Sequence, residues 1–415
     1  MQKTLRKLPF LYLVSCILYL RILYLFDKPK FEISRKERRM TEKLKIILGD
    51  ALRRVDWVLL LCTTALSVIS LVTVYGAVDN FGMSKLKMQF AMTVVGLILT
   101  FIVANLDYHV IVDRLWLPML IVSIGLLGIT LVAGDTGAGM ETNNKSWLTI
   151  PVIGIAIQPS EFVKITFICT FAKHLSVVQN VINRFRTLVG LGIHALLVVG
   201  LILVSGDLGV ALVYMALVII MLFCAGLHWG YFAGMGGALI VAFPFLWDYL
   251  ASYQQDRIVV GFNPSLDPKD KGWQPLLSKQ CIENGGLLGV GWRNGGDYEA
   301  LTASHTDFIL ATVCEKFGFI GGLLVIATMA VLVMRVLWIG RQASYDYGML
   351  IAVGVAAVLI AQTLENIGMC LALLPVVGIT LPFLSCGGSS LLATYILVGM
   401  VHSVKSHCPV RRMFD

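Results

Sequence analysis

The chain has 415 residues, of which 57% are hydrophobic and only 14% charged, with a formal net charge of +8. Soluble domains carry about 25% charged residues, so this apolar excess excludes a water-soluble globule. The positive balance does not point to nucleic acid, because ten Lys and Arg residues crowd between positions 28 and 54, directly before an apolar run, as in a cytoplasmic juxtamembrane segment that touches anionic lipid.

Residues 8–26 are apolar but contain Arg21 and show no small-residue cleavage site, so they read as an additional helix or an over-long start, with Met40 as an alternative initiator. Residues 1–54 are therefore expected to be an N-terminal extension and residues 55–415 a transmembrane domain. From Asp56 onward the hydropathy and flanking charges place about ten spans, at 57–78, 88–106, 115–132, 160–175, 188–204, 208–227, 231–247, 308–339, 349–371 and 389–404. The fold class is all-α and polytopic in the membrane. The basic residues Arg114, Arg184, Arg335, Arg341, Lys405, Arg411 and Arg412 fall on the side of the N-terminal basic block and mark it as cytoplasmic. By alternation, the 134–158 loop, the turn at 205–207, a large loop at 248–307 and the 374–384 turn face outward. Nine cysteines without CxxC spacing read as small buried hydrophobes, and Cys281 is the one in the large loop, so no disulfide framework forms there.

Four polar features thus converge on one face. In QPSEFVK, Glu161 and Lys164 are three apart on one helix face; they read as a compensated pair that orders the bundle or as the lining of a polar cavity. Ser160 is placed as the N-cap of that helix. Glu365 and Asn366 form a second intramembrane polar site with the same alternatives. Asp207, in SGDLGVA, suits a helix N-cap. The passage LLPVVGITLPFLSCGGSS breaks an apolar region with prolines and glycines, as a re-entrant turn lining a cavity does, and offers Ser385, Ser389 and Ser390 as hydrogen-bond donors. The loop 248–307 has no strong secondary-structure signal and ends at Asp307, at a loop-to-helix junction. That carboxylate reads either as an N-cap for the eighth span or as a partly desolvated general base.

The motifs VDW (55–57), QPSEFVK, GDLG, YQQDRI, NPSLDP, NGGLLGVGW, HTDFI, NIGM and LLPVVGITLPFLSCGGSS, in this order, resemble the SEDS family, the group containing RodA and FtsW. In its PVVG turn the chain is more similar to RodA. The resemblance covers all but the N-terminal extension. It implies ten transmembrane helices and a glycosyltransferase that polymerises lipid II into peptidoglycan at the outer face of the bacterial plasma membrane, for elongation and cell shape or division. It places the family's catalytic aspartate at Asp307 and its membrane Glu–Lys pair at Glu161 and Lys164. The chain departs from the family with Cys386 where a Tyr is usual, Ser205-Gly206-Asp207 where QPD is usual, Lys145-Ser146 before Trp147, and Leu277 before Ser278.

An inverting transfer to a sugar hydroxyl needs one base, and positive charge for the departing diphosphate. Arg257, Lys279, Arg293 and Lys145 are the candidates for that charge, together with a divalent cation such as Mg2+ or Mn2+ and no organic cofactor. Ser389 and Ser390 are substrate-binding candidates, and the lipid tail is expected in a groove beside Glu161 and Lys164. The partners implied by the resemblance are a class B penicillin-binding protein transpeptidase and other cell-wall synthesis membrane proteins. The alternatives from other classes are a lipid II flippase or transporter and a non-catalytic scaffold for a transpeptidase.

Overall fold

The computed structural model describes residues 55–135, 145–150, 155–249 and 252–407; the expected N-terminal extension lies outside them. Its long helices are α1 (Trp57–Gly76), α3 (Met83–Ala104), α4 (Tyr108–Ala133), α5 (Pro159–Val178), α6 (Phe185–Val204), α7 (Leu208–Cys224), α8 (Trp229–Tyr249), α11 (Ile309–Arg341), α12 (Asp346–Cys370) and α13 (Gly388–Ser406). Shorter ones are α2 (Val78–Phe81), α9 (Ser252–Phe262) and α10 (Trp273–Asn284), and a hairpin of β1 (Leu148–Ile150) and β2 (Ile155–Ile157) leads into α5. Each expected span overlaps one long helix. Arg114 lies inside α4 rather than in a connection, because the helix already starts at Asp107, whose carboxylate caps His109 N–H at 3.0 Å.

Six helices, α1, α3, α4, α6, α11 and α12, are long and apolar enough to cross a membrane by length and composition. In α12, 72% of the apolar window is buried, against 17% to 44% in the other five. Hence α12 is the central post, packed by α5, α7, α11 and α13. The less apolar α5 and α13 are enclosed in the same way: α13 buries Ser389, Ser390, Thr394, His402 and Ser403. A helix shielded by neighbours can carry polar side chains that satisfy one another, where a lipid-facing helix cannot.

The two ends of the bundle are chemically distinct. At one end Asp56, fully buried, caps Val58 and Leu59 and accepts from both Arg335 and Lys405, which ties the start of α1 to the ends of α11 and α13. At the same end Lys173 of α5 pairs with Asp113 of α4 at 2.6 Å, and Ser403 donates to Leu106 O. The opposite end gathers the start of α5, the start of α7, the 373–387 passage and the large connection before α11.

That connection is more ordered than an irregular loop. It contains α9, α10 and two 3-10 turns, at Pro264–Leu266 and Asp297–Ala300, and buries Leu277, Cys281 and Tyr298. The reason lies in α11, whose helical path breaks at Gly318 (φ 70°, ψ −169°). A Cβ there would stand 2.3 Å from Leu287 O, so only glycine allows the approach. The break leaves the carbonyls of Glu315 and Lys316 free to accept from Val290 and Gly291 N–H, at 2.9 and 3.2 Å. Lys316 then holds the carbonyls of Gly76, Trp292 and Asn294, each at 3.1 Å, while Glu315 accepts from the Asp297 and Tyr298 amides. Lys316→Met is expected to free these carbonyls, and faster amide exchange confined to 286–298 and the end of α1 is the measurement that checks it.

Candidate active site

Asp307 sits in a tight turn between the large connection and α11, with Thr306 and Phe308 N–H both donating to Ala303 O at 3.1 Å. It is not the helix cap: Phe308 occupies that position and no side chain caps it. The turn is fixed instead through its backbone. Asn366 of α12 donates from one nitrogen to Asp307 O and to Ile379 O, both at 2.8 Å. Ser385 Oγ donates to Thr306 O at 2.6 Å, and Cys386 N–H to His305 O at 2.9 Å. The 373–387 passage is thus clamped onto the His305-Thr306-Asp307 turn, as a re-entrant passage buried in protein requires. Gly378, at φ +74°, faces the Asp307 carboxylate, and a Cβ there would lie 3.6 Å from Oδ2. It is the backbone angle, not space, that asks for glycine.

The Asp307 residue is 9% exposed. Burial pushes its carboxyl up to about 6, against a smaller opposing effect of the Thr306 hydroxyl. Burial, followed by the Lys85 ammonium, holds His305 down at about 4. His305 is therefore neutral at pH 7 and brings no positive charge beside Asp307. Its ring lies against Phe81, centroid to centroid 5.4 Å.

Glu161 and Lys164 form an ion pair of 2.7 Å with both side chains buried. Ser160 is not the cap of α5, since Pro159 takes the first helical position and Gln158 precedes it without a capping bond. Ser160 O instead accepts from Tyr214 at 2.7 Å. Asp207 does cap α7, at Val210 N–H, and also accepts from Gln158 Nε2 at 2.8 Å. Gly209 places α7 against the same re-entrant passage, where a Cβ would meet Val377 O at 2.6 Å. The structure therefore groups Asp207, Gln158 and the Glu161–Lys164 pair, and both α7, through Gly209, and the Asp307 carboxylate approach residues 377–379. Glu365, half-buried on α12, feels the Asp207 charge.

The four proposed cations separate. Lys145 is exposed, two residues before Trp147, which bridges to Asp135. Lys279, on α10, is exposed and pairs loosely with Glu283 at 3.7 Å. Arg293 stacks over Trp292 at 4.8 Å and Tyr75 at 5.9 Å. The Arg257 side chain lies outside the described residues. Ser389 and Ser390 are both buried, and the Ser390 hydroxyl is shared with Thr380 at 2.7 Å, which makes it a brace of the re-entrant passage. Lys85 was not among the sequence candidates because the second span was placed to begin at Met88. Its sequence signal is the four-residue spacing that puts Lys85 and Gln89 on one face of α3; that Gln89 reaches Ser70, which donates to Leu384 O, is tertiary. Among the described residues no group of three or more His, Cys, Asp or Glu side chains could hold a metal ion.

Fold and site together define a polytopic helical membrane protein with a buried carboxylate set into a turn at one end of its bundle. A family model described as a cell cycle protein, FTSW_RODA_SPOVE, matches residues 53–409, and the chain belongs to that family. It is 36% identical over 369 residues to stage V sporulation protein E of Bacillus subtilis, covering 85% of this chain and 97% of that one. It is 34% identical to a probable peptidoglycan glycosyltransferase FtsW of Trichlorobacter lovleyi, over 85% and 93% of the two chains. To the peptidoglycan glycosyltransferase MrdB of Escherichia coli it is 32% identical, over 85% and 94%. A chain from a peptidoglycan synthase complex that coordinates polymerization and crosslinking superposes with a TM-score of 0.73 at 28% identity, covering 84% of this chain and 97% of that chain. The rod shape determining protein RodA of Thermus thermophilus gives 0.63 at 25%, over 84% and 96%. Identities of 32% to 36% do not rank the three named types, whereas the solved neighbours include RodA itself.

Proposed function

We infer that this protein is a peptidoglycan glycosyltransferase that polymerises lipid II. The observation that carries the reading is Asp307: a buried carboxylate that pairs with no cation among the described residues, is not used as a cap, and is braced through its own carbonyl by Asn366. In this reading Asp307 accepts the proton of the acceptor sugar's 4-hydroxyl as that oxygen attacks the anomeric carbon of the donor. The bond from that carbon to the polyprenyl diphosphate breaks, and the electron pair leaves with the diphosphate. One inverting displacement needs one base, and Asp307 supplies it.

The leaving diphosphate calls for cations near the turn. The Lys85 charge acts on His305 and on Cys386, and Arg293 lies over the ring of Tyr75. A divalent cation would enter on the diphosphate oxygens, because the described residues around Asp307 make no ligand set for a resident ion. The end of the bundle that holds Asp307 faces outward, the Asp56–Arg335–Lys405 end faces the cytoplasm, and all ten long helices span the bilayer. Arg335 and Lys405 at the second end support that orientation. The partner of this reading is a class B penicillin-binding protein that cross-links the strand, in keeping with the crosslinking named for the solved synthase complex.

Purified protein in vesicles with labelled lipid II tests the reading against transport. Polymer formed without transbilayer movement supports it; lipid II crossing without polymer sinks it. Because the base must be ionised, the rate is expected to fall tenfold for each pH unit below about 6. A pH–rate profile that stays flat to pH 5 removes Asp307 as the base.

A further inference from the structure

α1 and α3 contact one another and leave a groove on their exposed side. Val68, Leu71, Val72 and Tyr75 of α1 and Leu86, Lys87 and Phe90 of α3 line a groove of about 430 Å³ there, apolar over nearly its whole wall. Val68, Val72, Tyr75 and Phe90 are exposed, at 55%, 39%, 43% and 59%. The groove is apolar along its length and cationic at its mouth. Lys87 lines it directly, Arg293 lies over the ring of Tyr75, and Lys85 follows on the inner face of the same helix turn. The acidic group closest in sequence is Asp79 on α2, whose charge acts on Tyr298. Phe81, next along that turn, touches both Tyr298 and His305, the latter two residues before Asp307. The groove thus lies along α1 and α3, and the segment that joins these two helices carries Phe81, whose ring contacts His305. The Glu161–Lys164 pair, by contrast, is enclosed in protein.

We propose that this α1/α3 groove holds the isoprenoid chain of the polyprenyl diphosphate-linked sugar, with Lys87 and Arg293 receiving its diphosphate. This rests on the glycosyltransferase reading and deepens it by giving the lipid a path. An uncharged apolar groove would take any acyl chain. Two cations at one end of this one select a chain ending in several negative charges, and Arg held over two aromatic rings is preorganised for phosphate.

The test is labelling that needs no turnover. Asp307→Asn protein in phosphatidylcholine vesicles is irradiated with a polyprenyl diphosphate carrying a diazirine in its chain, and the labelled peptides are mapped. Labels in 68–75 and 86–90 are expected, displaced by unlabelled polyprenyl diphosphate and not by phosphatidylglycerol. Lys87→Glu combined with Arg293→Glu is expected to weaken the labelling about tenfold, and Val72→Trp, which fills the groove and leaves both cations, to abolish it. Labels confined to other helices, or equal displacement by phosphatidylglycerol, overturn the proposal. Because labelling is read without catalysis, labels here together with a parent protein, Asp307 intact, that fails to polymerise lipid II refute the transferase reading alone.

Discussion

Asp307→Asn is expected to lower the rate of lipid II polymerisation by roughly 10² to 10⁴, the usual worth of a positioned base, while the protein folds at least as well as before. Asn keeps the shape of the side chain and removes the charge that burial disfavours. The sign of the stability effect follows from the carboxyl itself, which holds its proton up to about 6 when folded and to 3.8 as an ordinary Asp. The folded state therefore binds the proton more tightly, and the contribution of this group to stability is full below about 3.8 and lost as pH rises through 6. At pH 7 the native protein bears the cost of an ionised buried group, and the variant does not. A thermal midpoint in detergent at pH 7 equal to or above that of the parent, with polymer formation lost, is the expected pair of results. A variant that polymerises at the parent rate sinks the assignment, and one that fails to insert is recognised by its lost midpoint. Asp307→Glu, one methylene longer, is expected to keep the raised titration but to misplace the base, since Asn366 fixes the backbone and not the carboxylate.

The sequence alone made the helices legible because hydropathy over about 20 residues is a local signal. The same signal could not show that α5 and α13 stand inside the bundle, since burial depends on which helices surround them. Asp207 was readable as a cap from its place before LGVA, and its capping bond to Val210 agrees. Ser160 was misread because Pro159 starts the helix one residue earlier than capping logic suggested. The largest gap was the connection before α11. Gly and Pro composition hid α9 and α10, and nothing local announces that Gly318 breaks a 33-residue helix so that 286–291 can bond to it. Glu315 and Lys316 were passed over inside an apolar run, although two ionisable residues there were a sign in themselves. Asp307 was singled out by its position at a junction. What made it distinct from a cap, its bracing by Asn366, Ser385 and Cys386 from 59 or more residues away, is tertiary.

Separating Glu161 from Lys164 is expected to give the largest loss of stability of any single substitution near the site. Both side chains are buried and 2.7 Å apart, and removing one partner leaves a charge without solvent or counter-ion. Breaking a buried pair in this way costs about 3 to 5 kcal/mol, more than the pair gains over apolar residues of the same size. Lys164→Met should therefore lower the thermal midpoint strongly, and Glu161→Gln less so, because the remaining ammonium is longer and can turn toward Asp207, whose charge it already feels. The double variant Glu161→Gln, Lys164→Met is expected to recover most of the midpoint, which a double-mutant cycle reads as a coupling between the two positions. If the pair only orders the start of α5, polymerisation recovers with the fold. If it also binds substrate, the double variant regains its midpoint and stays inactive. The midpoint and the polymerisation rate of the double variant, measured together, separate the two roles, because burial and the 2.7 Å ion pair are common to both.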